Sequence, residues 1–271
     1  MHGLGNDFAI FDGRDRPLAI SPDLARLVAD RRHGIGCDTV VVIYAGGDKA
    51  DVTLKFFNAD GGEVESCGNA SRCVARLLMD EKNISKVTLD TRGGLLLCTD
   101  AGDGEVTVDM GKPGLEWDQV PLAAPANTNE VPLVLDGTSY RLATASMGNP
   151  HAVLFVDDAD KAPVESVGPR IETSDLFPAR TNVEFVSVRD RANMRMRVWE
   201  RGIGVTLACG TGACAAAVTG HRRGLTDRKV NVELDGGTLR IEWRASDDHV
   251  LMTGPVAEVY TGDIDLAALL T

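Results

Sequence analysis

The chain has 271 residues, of which 44% are hydrophobic and 25% are charged, a composition ordinary for a globular protein and a length that suits two domains. Its net charge of −12 would repel a phosphate backbone, so nucleic acid is not an expected partner. No apolar run approaches the ~20 residues of a membrane span, and no signal-peptide pattern opens the sequence. We therefore expect a cytoplasmic protein with no membrane partner, whose ligand is a small molecule.

Short apolar runs punctuated by Gly, Asp and Asn predict a chain built mostly of β-strands. In chain order the predicted strands cover residues 8–11, 40–43, 52–57, 87–89, 95–98, 106–110, 131–135, 140–145, 152–156, 183–188, 194–199, 230–234 and 239–243. Helices are few and are predicted over about 22–32, 68–81 and 211–223. The last helix is so rich in alanine that we expect it to be packed on most sides.

The second half of the sequence repeats motifs of the first half at a nearly constant offset. Phe57-Asn58 lies ten residues before Cys67-Gly68, and Trp199-Glu200 lies ten residues before Cys209-Gly210, so the offset is 209 − 67 = 142. Three further matches keep this offset to within one residue: Gly62 with Gly204, 110–113 with 252–255, and Gly5-Asn6 with Gly148-Asn149. Matches in this order predict a duplicated domain.

The repeat predicts the fold class and its division. We expect an α+β protein of two pseudo-symmetric domains, each a curved β-sheet or barrel wrapped around a central helix. The N-terminal half covers residues 1–113, with 256–271 returning to it, and the C-terminal half covers residues 114–255. The helices predicted over 68–81 and 211–223 occupy equivalent places in the repeat, which makes them the two central helices.

The cysteines are interpreted as reduced thiols. There are six of them, and a long chain without a secretion signal is not expected to form a disulfide framework. No Cys-x-x-Cys pair occurs and the five histidines are scattered, so we expect no metal site. For each thiol the alternative to a functional role is an ordinary buried cysteine, and we favour that alternative for Cys73 and Cys214.

Cys67 and Cys209 each come directly ahead of a predicted helix. A helix N-terminus presents unpaired N–H groups and partial positive charge, which should lower the pKa of a thiol and hold a ligand carboxylate. By the repeat symmetry, two such sites would face one ligand across a cleft, with a thiol on each face of its α-carbon. One thiol could then remove a proton while the other delivers one, which is what inversion at a carbon acid requires.

Other polar residues are candidates with open alternatives. His151 and Glu200 either poise a thiol and bind an amine or are satisfied structural residues. Several asparagines lie at strand–turn junctions, where Asn is also common for backbone reasons: Asn6, Asn58, Asn149 and Asn182. Arg201 either pairs with the neighbouring Glu200 or binds a second carboxylate with its guanidinium.

The motifs, taken in order along almost the whole chain, resemble those of diaminopimelate epimerases. They are 1–8 (ending in Gly5-Asn6-Asp7-Phe8), Phe57-Asn58 running to Cys67-Gly68-Asn69, Met147-Gly148-Asn149-Pro150-His151, Thr181-Asn182-Val183-Glu184-Phe185, and Trp199-Glu200-Arg201-Gly202 running to Ala208-Cys209-Gly210-Thr211. Proline racemase-like enzymes share a Cys-Gly element with this pattern but not the Met-Gly-Asn-Pro-His or Glu-Arg-Gly context.

The resemblance implies interconversion of LL- and meso-2,6-diaminoheptanedioate in lysine and peptidoglycan precursor synthesis, by a homodimer that needs no pyridoxal phosphate, other cofactor or metal. It implies that Cys67 and Cys209 are the two acid/bases and that His151 and Glu200 tune them and contact the reacting amine. The implied carboxylate-binding groups are the backbone N–H groups of Gly68, Asn69, Gly210 and Thr211. The distal end of the substrate would be held by Asn6, Asn58, Asn149, Asn182 and Arg201, and Tyr260 falls at a dimer-contact position.

Two positions depart from the family pattern. Ala70 stands where a glycine is usual, and Thr39 replaces a Gln or Gly, although its repeat mate Asn182 keeps Thr39 a candidate for substrate binding. Three alternatives stay open: a related racemase of the proline racemase type, a catalytically inactive binding protein on this fold, and a redox protein that cycles a Cys67–Cys209 disulfide. Arg201 and the asparagines favour a ligand with a second amino-acid head group.

Overall fold

The computed structural model describes residues 1–16, 18–65 and 67–270. The described chain divides into two compact units, one of residues 1–108 with 254–271 and the other of residues 109–253. The boundaries expected from the sequence repeat, at 113/114 and 255/256, stay a prediction about the two duplicated halves.

The first part of the chain contains short strands and two helices. They are β1 (His2–Gly3), β2 (Asn6–Asp12), α1 (Pro22–Ala29), β3 (Thr39–Ala45), β4 (Val52–Asn58), β5 (Glu63–Val64), α2 (Gly68–Lys82), β6 (Lys86–Thr91), β7 (Gly94–Gly102) and β8 (Glu105–Asp109). A single 3₁₀ turn, Ala268–Leu270, follows near the end of the chain.

The second part repeats this order of elements. They are β9 (Val131–Leu135), β10 (Thr138–Ser146), β11 (Pro150–Phe155), a 3₁₀ turn (Ala159–Lys161), α3 (Val164–Glu172), β12 (Asn182–Asp190), β13 (Asn193–Glu200), β14 (Gly204–Val205), α4 (Gly210–Arg222), β15 (Lys229–Leu234), β16 (Gly237–Trp243) and β17 (Val250–Pro255). No helix of the described residues is long and apolar enough to cross a membrane.

The repeat seen in the sequence is also present in the strand register. In the first unit β2 runs parallel to β3 with Phe8 opposite Thr39, and in the second β11 runs parallel to β12 with His151 opposite Asn182. Three further pairs correspond at an offset of 142 or 143: Val40–Phe57 with Val183–Trp199, Val52–Leu89 with Met194–Val232, and Lys86–Thr99 with Lys229–Glu242. Each of these strand positions in the first unit therefore has an equivalent position, its repeat mate, in the second unit.

Each unit wraps its strands around one helix, which confirms the predicted α+β fold. Helix α4 contacts β10, β11, β12, β13, β15 and β16, and it is buried almost from end to end. Its alanines and glycines leave little side chain between helix axis and sheet, so six strands can approach it. Helix α2 is likewise buried over most of its length and contacts β1, β2, β6 and β7.

The sequence-based helix predictions were wrong at two places. The helix expected over 22–32 ends at Ala29, because Asp30 is already in an extended conformation. Helix α3 was not predicted, since Gly168 and Pro169 lie inside it and both residue types usually interrupt helices. Tertiary packing overrides that tendency here: Gly168 lies directly against the Trp199 side chain.

The contact between Gly168 and Trp199 gives a prediction about stability. Gly→Ala inside a helix usually stabilises a protein by about 0.5–1 kcal/mol. At Gly168, however, the new Cβ would lie 2.6 Å from the Cβ of Trp199 and 2.7 Å from its Cγ. We therefore expect Gly168→Ala to lower the free energy of unfolding by about 1–3 kcal/mol in urea denaturation.

Arg170→Ala on the same helix is the control, because its exposed ion pair with Asp136 should contribute less than about 1 kcal/mol. If Gly168→Ala were as stable as the wild type, the packing of α3 on Trp199 would not be the reason for the glycine.

Candidate functional site

In the first unit, the candidate residues gather around the start of α2. Cys67 is the N-cap residue of this helix, with an extended backbone and a half-buried side chain. Asn69, in the first turn, donates from Nδ2 to Oδ1 of Asn6 at 3.2 Å, and Asn6 donates from Nδ2 to Oδ2 of Asp38 at 3.0 Å. These hydrogen bonds fix which way the Asn6 amide points.

Thr39 and Asn58 lie beside this group at the ends of two strands. They are opposite each other in the antiparallel pairing of β3 with β4, and Thr39 also stands opposite Phe8 on β2. Thr39 is buried and Asn58 is half-buried. The carbonyl of Asn58 accepts from the N–H of Gly61, so Asn58 also has the backbone role in a turn that its sequence position predicts.

In the second unit, a chain of hydrogen bonds leads from a buried carboxylate to the start of α4. His151 and Glu184 are both fully buried, and Nδ1 of the imidazole lies 2.7 Å from Oε1 of Glu184. The other ring nitrogen, Nε2, lies 3.0 Å from Oδ1 of Asn149, and Asn149 donates to Oγ1 of Thr211 at 3.3 Å. The Thr211 hydroxyl is 3.6 Å from Sγ of Cys209. The chain therefore ends on the thiol.

Cys209 is buried at the N-cap of α4, and Glu200 adjoins it. Desolvation raises the pKa of the Glu200 carboxyl above its ordinary value, although hydrogen bonds from the Thr206 hydroxyl and the Cys209 thiol oppose that shift. Desolvation, together with the carboxylates of Glu200 and Glu184, also raises the pKa of the Cys209 thiol well above its ordinary value. At neutral pH this thiol therefore keeps its proton.

The expectation that a helix N-terminus lowers the pKa of both thiols is therefore wrong for Cys209. The Thr211 hydroxyl and the N–H of Gly212 do lower its pKa, but burial and the two carboxylates outweigh them. Cys73 and Cys214, in contrast, are fully buried inside their helices, as the sequence predicts. Burial raises the pKa of Cys73 to about 12, so this thiol is protonated at neutral pH.

Gly212 explains one departure from the family pattern. A Cβ at this position would lie 2.7 Å from Oε1 of Glu184 and 3.2 Å from Sγ of Cys209, so a larger residue would have to displace the buried carboxylate. Its repeat mate in the first unit is Ala70, where the mate of Glu184 is the smaller, apolar Val41. Alanine is therefore tolerated at position 70, since no carboxylate occupies the space beside it.

Asn182 and Arg201 are linked through the backbone. The Asn182 amide donates from Nδ2 to the carbonyl of Pro150 at 3.0 Å and accepts from the backbone N–H of Arg201 at 2.9 Å. The Arg201 guanidinium donates to the carbonyl of Ala179 at 3.2 Å, and the residue is exposed. Asn182 thus holds the turn that carries Arg201.

Three carboxylates that take part in these arrangements were not identified from the sequence. Glu184 lies in the motif Thr181-Asn182-Val183-Glu184-Phe185, but its role does not follow from the motif. The one sequence signal is that a charged residue lies inside a mostly apolar strand. Asp38 orients Asn6. Glu172 accepts from the N–H of Gly202 at 3.0 Å and from Nε1 of Trp199 at 2.7 Å, so it fixes both ends of the segment that carries Glu200 and Arg201. No sequence signal could have found Glu172, because its helix was not predicted.

Solved structures of low sequence identity share the fold of this chain. A hydroxyproline epimerase from Agrobacterium vitis matches with a TM-score of 0.67 at 17% identity, over 94% of this chain and 87% of that one. An epimerase from Pseudomonas aeruginosa, so described from its sequence, matches with a TM-score of 0.67 at 21% identity, over 95% and 94%. At such identities the likeness concerns the fold, which is that of racemases and epimerases of this type.

The sequence comparisons identify the family. The model of the diaminopimelate epimerase family matches residues 1–116 and 143–259. The diaminopimelate epimerase of Acidiphilium cryptum is 49% identical over 269 residues, covering 99% of this chain and 96% of the relative. That of Rhodospirillum centenum is 49% identical over 265 residues, covering 97% and 90%. The chain belongs to the diaminopimelate epimerase family, and the alternative of a proline racemase type is not favoured.

The second unit's buried polar residues give a prediction about stability. We define the polar trio as His151, Glu184 and Gly212, and the apolar trio as their repeat mates Phe8, Val41 and Ala70. Glu184→Ala leaves the buried His151 without its carboxylate, and breaking such a pair typically costs about 3–5 kcal/mol.

The triple variant His151→Phe, Glu184→Val, Gly212→Ala replaces the polar trio with the set that the first unit already packs. Apolar replacement of a whole buried pair is often neutral or stabilising. We therefore expect the triple variant to unfold at higher urea concentration than Glu184→Ala. The reverse order would mean that the two trios are not equivalent in packing.

Proposed function

We propose that the chain interconverts LL- and meso-2,6-diaminoheptanedioate (diaminopimelate) without a cofactor. Epimerisation at an α-carbon needs a base on one face and an acid on the other. The observation that carries the proposal is that each unit places a cysteine at the N-cap of its central helix: Cys67 ahead of α2 and Cys209 ahead of α4. Membership of the diaminopimelate epimerase family supports this choice of substrate.

In the proposed reaction the two thiols exchange roles with the direction of turnover. Cys209 keeps its proton at neutral pH and delivers it to the α-carbon, while the Cys67 thiolate removes the α-proton from the opposite face. After one turnover Cys67 carries the proton and Cys209 is the thiolate. The reverse reaction then starts from that state, or the protons are exchanged with solvent.

The substrate carboxylate at the reacting centre would lie on the first-turn N–H groups of the two helices, contributed by Gly68, Asn69, Gly210 and Thr211. Glycine and other small residues let a ligand approach the backbone there, and the N-terminal positive charge favours an anion. His151 and Glu200 would contact the reacting amine. This arrangement suits a protein with a net charge of −12, because it binds an anion through local backbone donors.

The distal amino-acid head would be held by Arg201 and the asparagine side chains. Arg201 is exposed and its position is fixed through Asn182, which supports a role in reading a carboxylate. Asn6, Thr39, Asn58 and Asn149 would complete the contacts. We also propose that the protein is a cytoplasmic homodimer with Tyr260 in the contact, where Val259, Tyr260 and Ile264 are all exposed.

The test of the function uses the two cysteines. Wild-type protein should take up deuterium from D2O at the α-carbon of LL-diaminopimelate and not of L-proline. Cys67→Ala and Cys209→Ala should each lose more than about 99% of epimerisation, because one face of the carbon then lacks its proton carrier. Deuterium uptake and epimerisation are both followed by NMR. Cys73→Ala is the control and should remain active. Near-normal turnover in either of the first two variants would exclude a two-base mechanism.

Arg201 should determine specificity for a substrate with a distal carboxylate. Loss of a desolvated, charge-assisted contact to a distal carboxylate costs on the order of 2–5 kcal/mol. We expect Arg201→Ala to lower kcat/KM for LL-diaminopimelate by at least about 30-fold, mostly through KM. Arg191→Ala is the matched control, since its exposed guanidinium pairs with Asp227 at 2.7 Å in the same unit and has no assigned substrate role. An unchanged kcat/KM in Arg201→Ala would remove Arg201 from the site.

A further inference from the structure

We infer that Glu184 is a positioning residue of epimerisation: its buried carboxylate holds His151, and through it the hydrogen bonds that end on the thiol of Cys209. This inference rests on the proposed function and deepens it. The closest described contact of Glu184 is with the His151 imidazole, at 2.7 Å. We assign Glu184 no direct contact with the substrate. It therefore acts through other residues.

The fold itself does not require a carboxylate at this place. Glu184 lies on β12 and is 0% exposed, and Oε2, its second oxygen, has no hydrogen-bond partner in the described structure. A buried charge of this kind is costly and is weak evidence for a stabilising role. The first unit builds the same strand position with Val41, in the same register and equally buried. The duplicated unit is thus an internal control, in which an apolar residue is sufficient for folding.

Each member of the polar trio differs from its repeat mate, and the three differences are complementary: the ring can bind the carboxylate, and the glycine leaves space for it. The imidazole of His151 replaces the ring of Phe8, Glu184 replaces Val41, and Gly212 replaces Ala70. A Cβ at Gly212 would overlap the carboxylate of Glu184. The glycine is thus the residue that makes room for the carboxylate beside Cys209, and only the second unit has this set.

The carboxylate determines how the imidazole is oriented. An ionised carboxylate only accepts hydrogen bonds, and the Oδ1 atom of Asn149 on the other side of the ring is also an acceptor. The imidazole lies between these two oxygens, and the amide of Asn149 donates from Nδ2 to Thr211. An amide at position 184 could present an N–H group to Nδ1 instead of an acceptor, so the order of donors up to Cys209 would no longer be fixed.

The charge of Glu184 acts on the same thiol. The titratable groups described as acting on Cys209 are Glu184 on β12 and Glu200 on β13, while the α4 side presents the Thr211 hydroxyl and the Gly212 N–H. His151 on β11 reaches the thiol only through Asn149 and Thr211. Glu184 raises the pKa of Cys209 by electrostatic repulsion of the thiolate. Removing this charge should therefore lower the pKa of Cys209, so the thiolate would form at lower pH.

The experiment is Glu184→Gln, which keeps the shape and removes the charge. We expect kcat for LL-diaminopimelate to fall about 10- to 100-fold while KM changes by less than about threefold. In the Cys67→Ala background, the pH midpoint for iodoacetamide alkylation of Cys209 should move down by on the order of one unit. Peptide mass spectrometry would separate Cys209 from the other thiols.

The matched control is Asp109→Asn. Asp109 forms the same kind of pair in the same unit, with Oδ1 2.8 Å from Nδ1 of His249, and its described contacts include no candidate site residue. This variant should keep wild-type kcat and the wild-type alkylation midpoint. Equal losses in both variants would show a general loss of structure and would overturn the inference, as would wild-type kcat with an unshifted midpoint in Glu184→Gln.

Glu184→Asp is the second variant, for the case that Glu184→Gln does not fold. It keeps the charge but withdraws the carboxylate from His151 by one methylene. We expect a lower kcat with an unshifted alkylation midpoint, and wild-type kcat in this variant would also overturn the inference. If wild-type protein did not turn over LL-diaminopimelate at all, the proposed function would fail, but the alkylation comparison would still decide whether Glu184 controls Cys209.

Discussion

The arrangement of the second unit depends on one constraint, a helix of small residues enclosed by strands. Helix α4 contacts six strands of its unit, and its alanines and glycines let them come close. Since the helix cannot shift, its first turn and the cysteine that caps it are fixed in place. The strands then bring His151, Glu184 and Glu200 to that turn, because β11, β12 and β13, which carry them, are paired side by side and all three contact α4.

Duplication provided the same backbone twice, and the two copies have diverged in side chains. Strand pairs that differ by 142 or 143 positions keep the same partners, so Phe8 and His151 occupy equivalent places. In the first unit Asn69 of the cysteine helix donates to Asn6, which in turn donates to Asp38 at the surface. In the second unit the polar contacts come from the buried interior. One fold thus gives its two cysteines different electrostatic surroundings.

The pKa of Cys209 depends on two opposing effects, the helix N-terminus and the burial of the thiol beside two carboxylates. A helix N-terminus stabilises a negative charge by about 0.3–1 kcal/mol at an exposed site. Removing an ion from water costs about several kcal/mol, and neighbouring carboxylates add repulsion. For Cys209 the second effect is larger, so the pKa rises although the thiol caps a helix. Position at a helix terminus alone therefore does not determine whether a thiol is a base or an acid.

The sequence by itself determined the repeat, the two cysteine helices, the α+β class and the family motifs. These features follow from local patterns: apolar periodicity, the small residues after each cysteine, and a constant offset between matching motifs. The departure at Ala70 is visible in the sequence, but the contact of its mate Gly212 with the Glu184 carboxylate is not.

Only the tertiary structure decided that Glu184 contacts His151, that Glu172 fixes the turn around Arg201, that α3 exists despite Gly168 and Pro169, and that Cys209 holds its proton. The physical reason is common to all four. Each depends on burial and on contacts between different elements of the fold, such as Glu184 with His151 and Glu172 with Trp199, and neither quantity is contained in a local pattern.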